Sequence, residues 1–108
     1  MQTVVVLNQD QMGHGDPELG RKILTTFLRK ATAMRELTAI VFYNSGVKLL
    51  GAGSPVLAEL TALEHGGVDL VPCGTCVQHF GVQLATGKVS DMDTIVRELG
   101  RAAKVITL

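Results

Sequence analysis

"TVVVLN", residues Thr3 to Asn8, is a short β-branched run with almost no polar break. A strand with one solvated face alternates apolar and polar residues, whereas one buried on both faces reads as a continuous apolar run, the pattern of a central parallel strand. Parallel neighbours are joined by crossovers, so helices and strands should alternate along the rest of the chain. "QDQMGHGDPE" breaks the pattern, and Asp16-Pro17 then starts a helix: a carboxylate to accept orphan N–H groups, followed by a residue with φ preset for the first turn. Leu19, Ile23, Leu24, Phe27, Leu28, Ala31 and Met34 recur at spacings of three and four, which gives that helix one apolar face.

"LTAIVFYN", Leu37 to Asn44, repeats the buried-strand pattern, and Gly46 in "SGV" suits a turn with positive φ. Ser54-Pro55 repeats the cap-plus-proline start, Val56, Leu57, Leu60 and Leu63 supply a stripe, and His65-Gly66-Gly67 ends the second helix. "VDLVP" is a third strand ending at Pro72. Near the end Ser90 caps a helix carrying Met92, Ile95, Val96 and Leu99, with Asp91 and Asp93 at the positive end of its dipole and Gly100 as its stop. "KVITL" is a closing strand, and a fifth comes from "VKLL" or "GKVS", between which the pattern does not choose. The expectation is an α/β fold, a three-layer α/β/α sandwich around a mostly parallel sheet of about five strands, as a single domain over residues 1–108.

Composition narrows the function. Ten Lys and Arg balance ten Asp and Glu without a basic stripe, and the aromatic residues are only Phe27, Phe42, Tyr43 and Phe80. Nucleic-acid binding is therefore not expected, for want of both the field and the stacking rings. The first residues carry no cationic leader, and no apolar stretch approaches the roughly 18 residues of a membrane span, so the expected setting is the cytoplasm, away from membranes.

The two cysteines lie together in "VPCGTCVQHFG", Val71 to Gly81. Cytosolic thiols are kept reduced, so the pair points to catalysis, redox work or metal binding more than to a staple. Cys73 falls where strand becomes helix, a place where free backbone N–H groups favour a thiolate. Gly74 beside it leaves room for a close approach, and Cys76 faces the same side one turn on. All loops leaving the C-terminal ends of parallel strands share one edge of the sheet, which gathers Gln9 to Asp16, Asn44 to Lys48 and Pro72 to Cys76. Asp10, His14, Asn44, Gly46, Lys48 and Gly74 are thus candidate binding residues around catalytic Cys73 and Cys76. Plainer readings stand beside these: small cysteines filling a tight turn, a solvated Lys48, a flexible His14.

Cys73, Cys76 and His79 also form a C-x2-C-x2-H run, but a closed zinc site needs a fourth ligand that only His14 or a second subunit would bring. No metal and no organic cofactor is expected. Thioredoxin-like exchange shares the C-x-x-C signature, yet the motif follows the third strand and no aromatic precedes it. "GHGD" and "GAGS" do not continue as phosphate-binding loops.

Taken together, "NQDQMGHGDPELG", "FYNSGVKL", "GSPVLAEL" and "PCGTCVQHFGV" resemble the DsrE/DsrF-like family, and more narrowly the C-terminal domain of the YedF selenium-metabolism proteins, with "VSDMDTIV" as a further match. The usual "NSD" and "SNM" stand here as "NQD" and "SDM". The resemblance implies an α/β fold, a homo-oligomer (dimer, trimer or hexamer) and sulfur handled as a cysteine persulfide. It puts Cys73 at the sulfur-carrying position and Cys76 at the second cysteine of the YedF-like subgroup, with a TusA-like sulfur-carrier protein as donor or acceptor. The leading expectation is a small sulfur-relay protein, a sulfurtransferase-like persulfide carrier; the alternatives are a non-catalytic oligomeric adaptor or ligand-binding domain, and a zinc-stabilised module.

Overall fold

The structure is a computed structural model that describes residues 2–108. Its sheet has four parallel strands among the described residues: β1 (Thr3–Leu7), β2 (Leu37–Phe42), β3 (Asp69–Pro72) and β4 (Lys104–Thr107), in the order β3-β2-β1-β4. The TVVVLN run is the interior strand the sequence predicts, paired with β2 through Val4–Ala39 to Leu7–Phe42 and with β4 through Thr3–Lys104 to Val6–Thr107. Every residue of β1 is buried because each face of the sheet has its own core. Val5 and Leu7 join Ile40, Phe42 and Leu70 on one side, and Val4 and Val6 join Ala39, Val41 and Val71 on the other.

The two connections that step from β1 to β2 to β3 carry α1 (Pro17–Ala31) and α2 (Leu57–His65), which pack together over the first core through Leu24, Leu28, Leu60 and Leu63. The last connection returns from β3 to the opposite edge, and its helix α4 (Met92–Arg101) sets Ile95 into the second core. Helices thus cover both faces, giving the three-layer α/β/α architecture.

α1 starts as its sequence requires, with Asp16 Oδ1 accepting the Leu19 N–H at 3.1 Å and Pro17 in the first turn. Leu24, Leu28 and Ala31 are buried, while Leu19 and Ile23 from the same stripe are 56% and 40% exposed. Two terminal details differ from expectation. The α4 cap is Asp91, whose side chain accepts the Thr94 N–H at 2.8 Å, because Ser90 is drawn into a bridge with Cys73. The helix also continues through Gly100 to Arg101.

Neither proposed fifth strand forms. "VKLL" lies in a 3-10 helix, Asn44–Leu50, with Val47, Leu49 and Leu50 buried in the first core. "GKVS" contributes only the isolated Cys73–Ser90 bridge. Gly46 explains the first result: a Cβ there would lie 2.1 Å from the Leu7 carbonyl oxygen, so this segment presses end-on against β1 and does not run beside a strand.

Candidate functional site

Cys73 follows β3 directly and takes the N-cap position of α3 (Gly74–Phe80), as the sequence predicts. Its backbone is held on both sides. Its N–H donates to the Phe42 carbonyl at 2.9 Å, extending the β2–β3 ladder, and its carbonyl accepts the Val77 N–H at 3.0 Å. Alongside, the Ser90 N–H donates to the Pro72 carbonyl and the Gly74 N–H to the Ser90 carbonyl, both at 3.0 Å. A nucleophile placed by strand pairing on each flank keeps its position without help from its side chain. At the far end of α3, Gly81 adopts left-handed φ 63° and the Val82 N–H reaches the Val77 carbonyl, a Schellman closure that confines the helix to two turns.

Both cysteines are free thiols. Cys73 is 3% exposed within the second core, while Cys76 is half-buried and borders both cores. The 3-10 helix supplies the third member of the site. Asn44, at its start, has φ 52° and donates its N–H to Cys76 Sγ at 3.1 Å, while its side-chain Oδ1 accepts the Ser45 N–H at 2.9 Å. The amide of Asn44, and not its carboxamide, therefore touches the chemistry.

The two thiols are pushed in opposite directions. Burial raises Cys73, but the Cys76 amide, the Cys76 thiol, and the amide and hydroxyl of Thr75 outweigh it and leave Cys73 below its ordinary value. The Cys73 thiol makes no capping hydrogen bond of full geometry, so this is a field of nearby donors more than a single bond. Cys76 is raised, first by burial and then by the neighbouring Cys73 sulfur, against the Asn44 amide. Cys73 thus ionises before Cys76, the order that a nucleophile and its partner need.

The other expected residues separate from this group. Gly74 leaves no room for a visitor: a Cβ there would meet the Ser90 carbonyl oxygen at 2.6 Å, so the space is filled by this chain's own segment. Gly46 serves the contact with β1 just described, and the positive φ expected of it is found at Asn44 instead. Lys48 holds its Nζ 4.5 Å from the Phe80 ring centre and, with Asp10 and Arg21, lines a cavity of about 190 Å³ that includes neither cysteine. His14 is exposed in a loop that Gln11 Nε2 ties down through the Gly13 and Gly15 carbonyls. His79 lies edge-on to Phe80, and no three His, Cys, Asp or Glu among the described residues are grouped to hold a metal ion. The thiols, Asn44 and the amides of Thr75 and Cys76 remain as the site.

Sequence reading missed Ser90, Arg21 and Phe80. Ser90 passed as an ordinary helix cap, and its pairing with Cys73 leaves no local mark. Arg21 carries no signal beyond a helix-surface charge. Phe80 had one, as an aromatic at the end of a short helix whose partner, Lys48, is remote in sequence.

A parallel α/β/α domain with its thiols where a strand hands over to a short helix is the architecture the motifs above imply. The chain belongs to the DsrE/DsrF-like family, whose model matches residues 4–108. No curated protein matches the sequence. Among solved structures, the chain is similar to the protein of unknown function MTH1491 from Methanobacterium thermoautotrophicum, with a TM-score of 0.72 at 21% identity over 99% of this chain and 98% of that one. It is also similar to the ychN protein from E. coli, TM-score 0.69 at 18% identity over 99% and 98% of the two chains. The conserved protein of unknown function BT1422 from Bacteroides thetaiotaomicron gives 0.69 at 16% identity over 99% and 94%. These likenesses establish the shared fold.

Proposed function

We propose that this chain carries sulfane sulfur as a persulfide on Cys73 and hands it to an acceptor protein. The observation that carries the reading is the placing of two free thiols on the first turn of α3 at the C-terminal edge of the sheet, with the Asn44 amide on Cys76, in a family often linked to sulfur relay. The Cys73 thiolate attacks the outer sulfur of a donor persulfide; the donor's S–S bond breaks, a new one forms on Cys73, and the donor leaves as its thiolate. In the second half an acceptor thiolate attacks the outer sulfur and returns the Cys73 thiolate. Thr75 is exposed and Cys76 half-buried, so the approach to the enclosed Cys73 sulfur lies across this first turn.

A TusA-like sulfur-carrier protein fits the role of donor or acceptor, and the resemblance to the YedF C-terminal domain adds selenium as an alternative cargo. Assembly into a homo-oligomer is supported by Val89, Met92 and Val96, which are 63%, 49% and 60% exposed. No helix among the described residues is long and apolar enough to cross a membrane, which fits the proposed cytoplasmic setting.

Mass spectrometry after incubation with a sulfane-sulfur donor tests the relay. One added sulfur atom is expected on Cys73, lost in Cys73→Ser and retained in Cys76→Ser. The opposite pattern reverses the roles, and no added sulfur on either residue ends the proposal. A rival reading, a non-covalent oligomeric adaptor, is favoured by the 3% exposure of Cys73. A Cys73 inert to small alkylating reagents, with partner binding surviving its mutation, would select that rival.

A further inference from the structure

The persulfide reading uses Cys73 and leaves Cys76 without a task, although Cys76 is the more exposed sulfur and the one that receives a backbone hydrogen bond from a different element. Asn44 is the one described non-glycine residue with left-handed φ, and its N–H donates to Cys76 Sγ, 3.1 Å away. An N-cap residue and the residue three on stand side by side over the first helical turn, which puts the side chains of Cys73 and Cys76 on one face of α3. The backbone of Cys73 is pinned by Phe42 and its flanks by Ser90, so the chain on this side of the pair is held in place.

We propose that Cys73 and Cys76 form a dithiol–disulfide couple in which Cys76 is the resolving thiol, positioned by the Asn44 amide. The proposal rests on the persulfide reading and adds a fate for cargo that meets no acceptor. Cys76 gives its proton to solvent and, as a thiolate, attacks the inner sulfur of the Cys73 persulfide. The Sγ–Sγ bond forms, the bond to the outer sulfur breaks, and hydrosulfide leaves with the electron pair. The sulfane sulfur is reduced to sulfide while the two thiols are oxidised to a disulfide, so the cargo is itself the oxidant. A cellular dithiol reductant then restores both thiols by exchange. The raised thiol of Cys76 suits this order, since it gives up its proton after Cys73 does and is a strong nucleophile once ionised.

Two measurements on the full chain test the couple. Reduced protein treated with diamide should lose both alkylatable thiols and stay at monomer mass less two hydrogens; two thiols left free, or only intermolecular disulfides, would overturn it. Chain loaded with polysulfide and freed of donor should release one sulfide for each disulfide formed, and Cys76→Ser should keep its extra sulfur, slowing release at least about tenfold. Release from Cys76→Ser at the parent rate would also overturn it. Asn44→Ala, which disfavours left-handed backbone, should slow closure, and Asn44→Gly, which accepts it, should rescue the rate; equal slowing would remove the role given to the amide. A chain that takes up no sulfur yet closes the disulfide with diamide loses the relay and keeps the couple, whereas one that takes up sulfur and closes no disulfide loses the couple alone.

Discussion

Gly46 shows how little freedom the site leaves to single residues. A methyl group there would fall 2.1 Å from one backbone atom of Leu7 and 2.9 Å from another, and a strand interior cannot give way by that much. Gly46→Ala should therefore lift the 3-10 helix off β1 at a cost of about 1–3 kcal/mol, read as a lower denaturant midpoint, and should weaken the Asn44 contact two residues away. The thiols make a prediction with a sign. Cys73 is depressed, so its contribution to stability is complete above the unfolded thiol pKa and is lost as pH falls through the folded value. Cys76 is raised, so its contribution is present at lower pH and lost as pH climbs through its folded value. Across the alkaline thiol range Cys76→Ser should gain stability with rising pH and Cys73→Ser should lose it. Parallel slopes in the two variants, measured by urea unfolding at several pH values, would contradict this assignment.

At the scale of elements, caps and strands were legible because their signals are local. Asp16-Pro17 announces α1 by chemistry that operates within one turn, and Asp16→Ala should cost about 1 kcal/mol, visible as a lower thermal midpoint with α4 unaffected. Where two local signals compete, tertiary structure decides. Ser90 and Asp91 are both good caps; Asp91 wins because the Ser90 backbone is committed to Pro72 and Gly74, partners remote in sequence. "VKLL" has the composition of a strand, and the docking of Gly46 on Leu7 makes it helical. The same reasoning separates the site residues. Cys73, Cys76 and Asn44 could be gathered from strand order alone, since each lies within two residues of a strand end or on the turn that follows. Lys48 and His14 sit further along their loops, and they and Asp10 are drawn elsewhere, Lys48 to Phe80, Asp10 to the cavity with Arg21 and His14 to the loop that Gln11 ties down.

The whole molecule has an uneven coat. The face under α1 and α2 holds most of the buried aliphatic side chains, while the other is roofed by α4, whose Met92 and Val96, four residues apart, leave an apolar stripe in solvent. With ten positive and ten negative residues, net charge near neutrality offers little repulsion between copies. If this stripe is the oligomer contact, Val96→Lys should lower the sedimentation mass toward the monomer without changing the far-UV spectrum; an unchanged mass would place the contact elsewhere.

The pairing of β1 with β4 has a further outcome during synthesis. Thr3 is made well before its register partner Lys104, which lies beyond every other strand and helix of the domain. β1 therefore waits with one edge open until β4 follows it, and contacts of such long sequence separation close slowly. Holding chaperones should find the nascent domain a good client until β4 emerges.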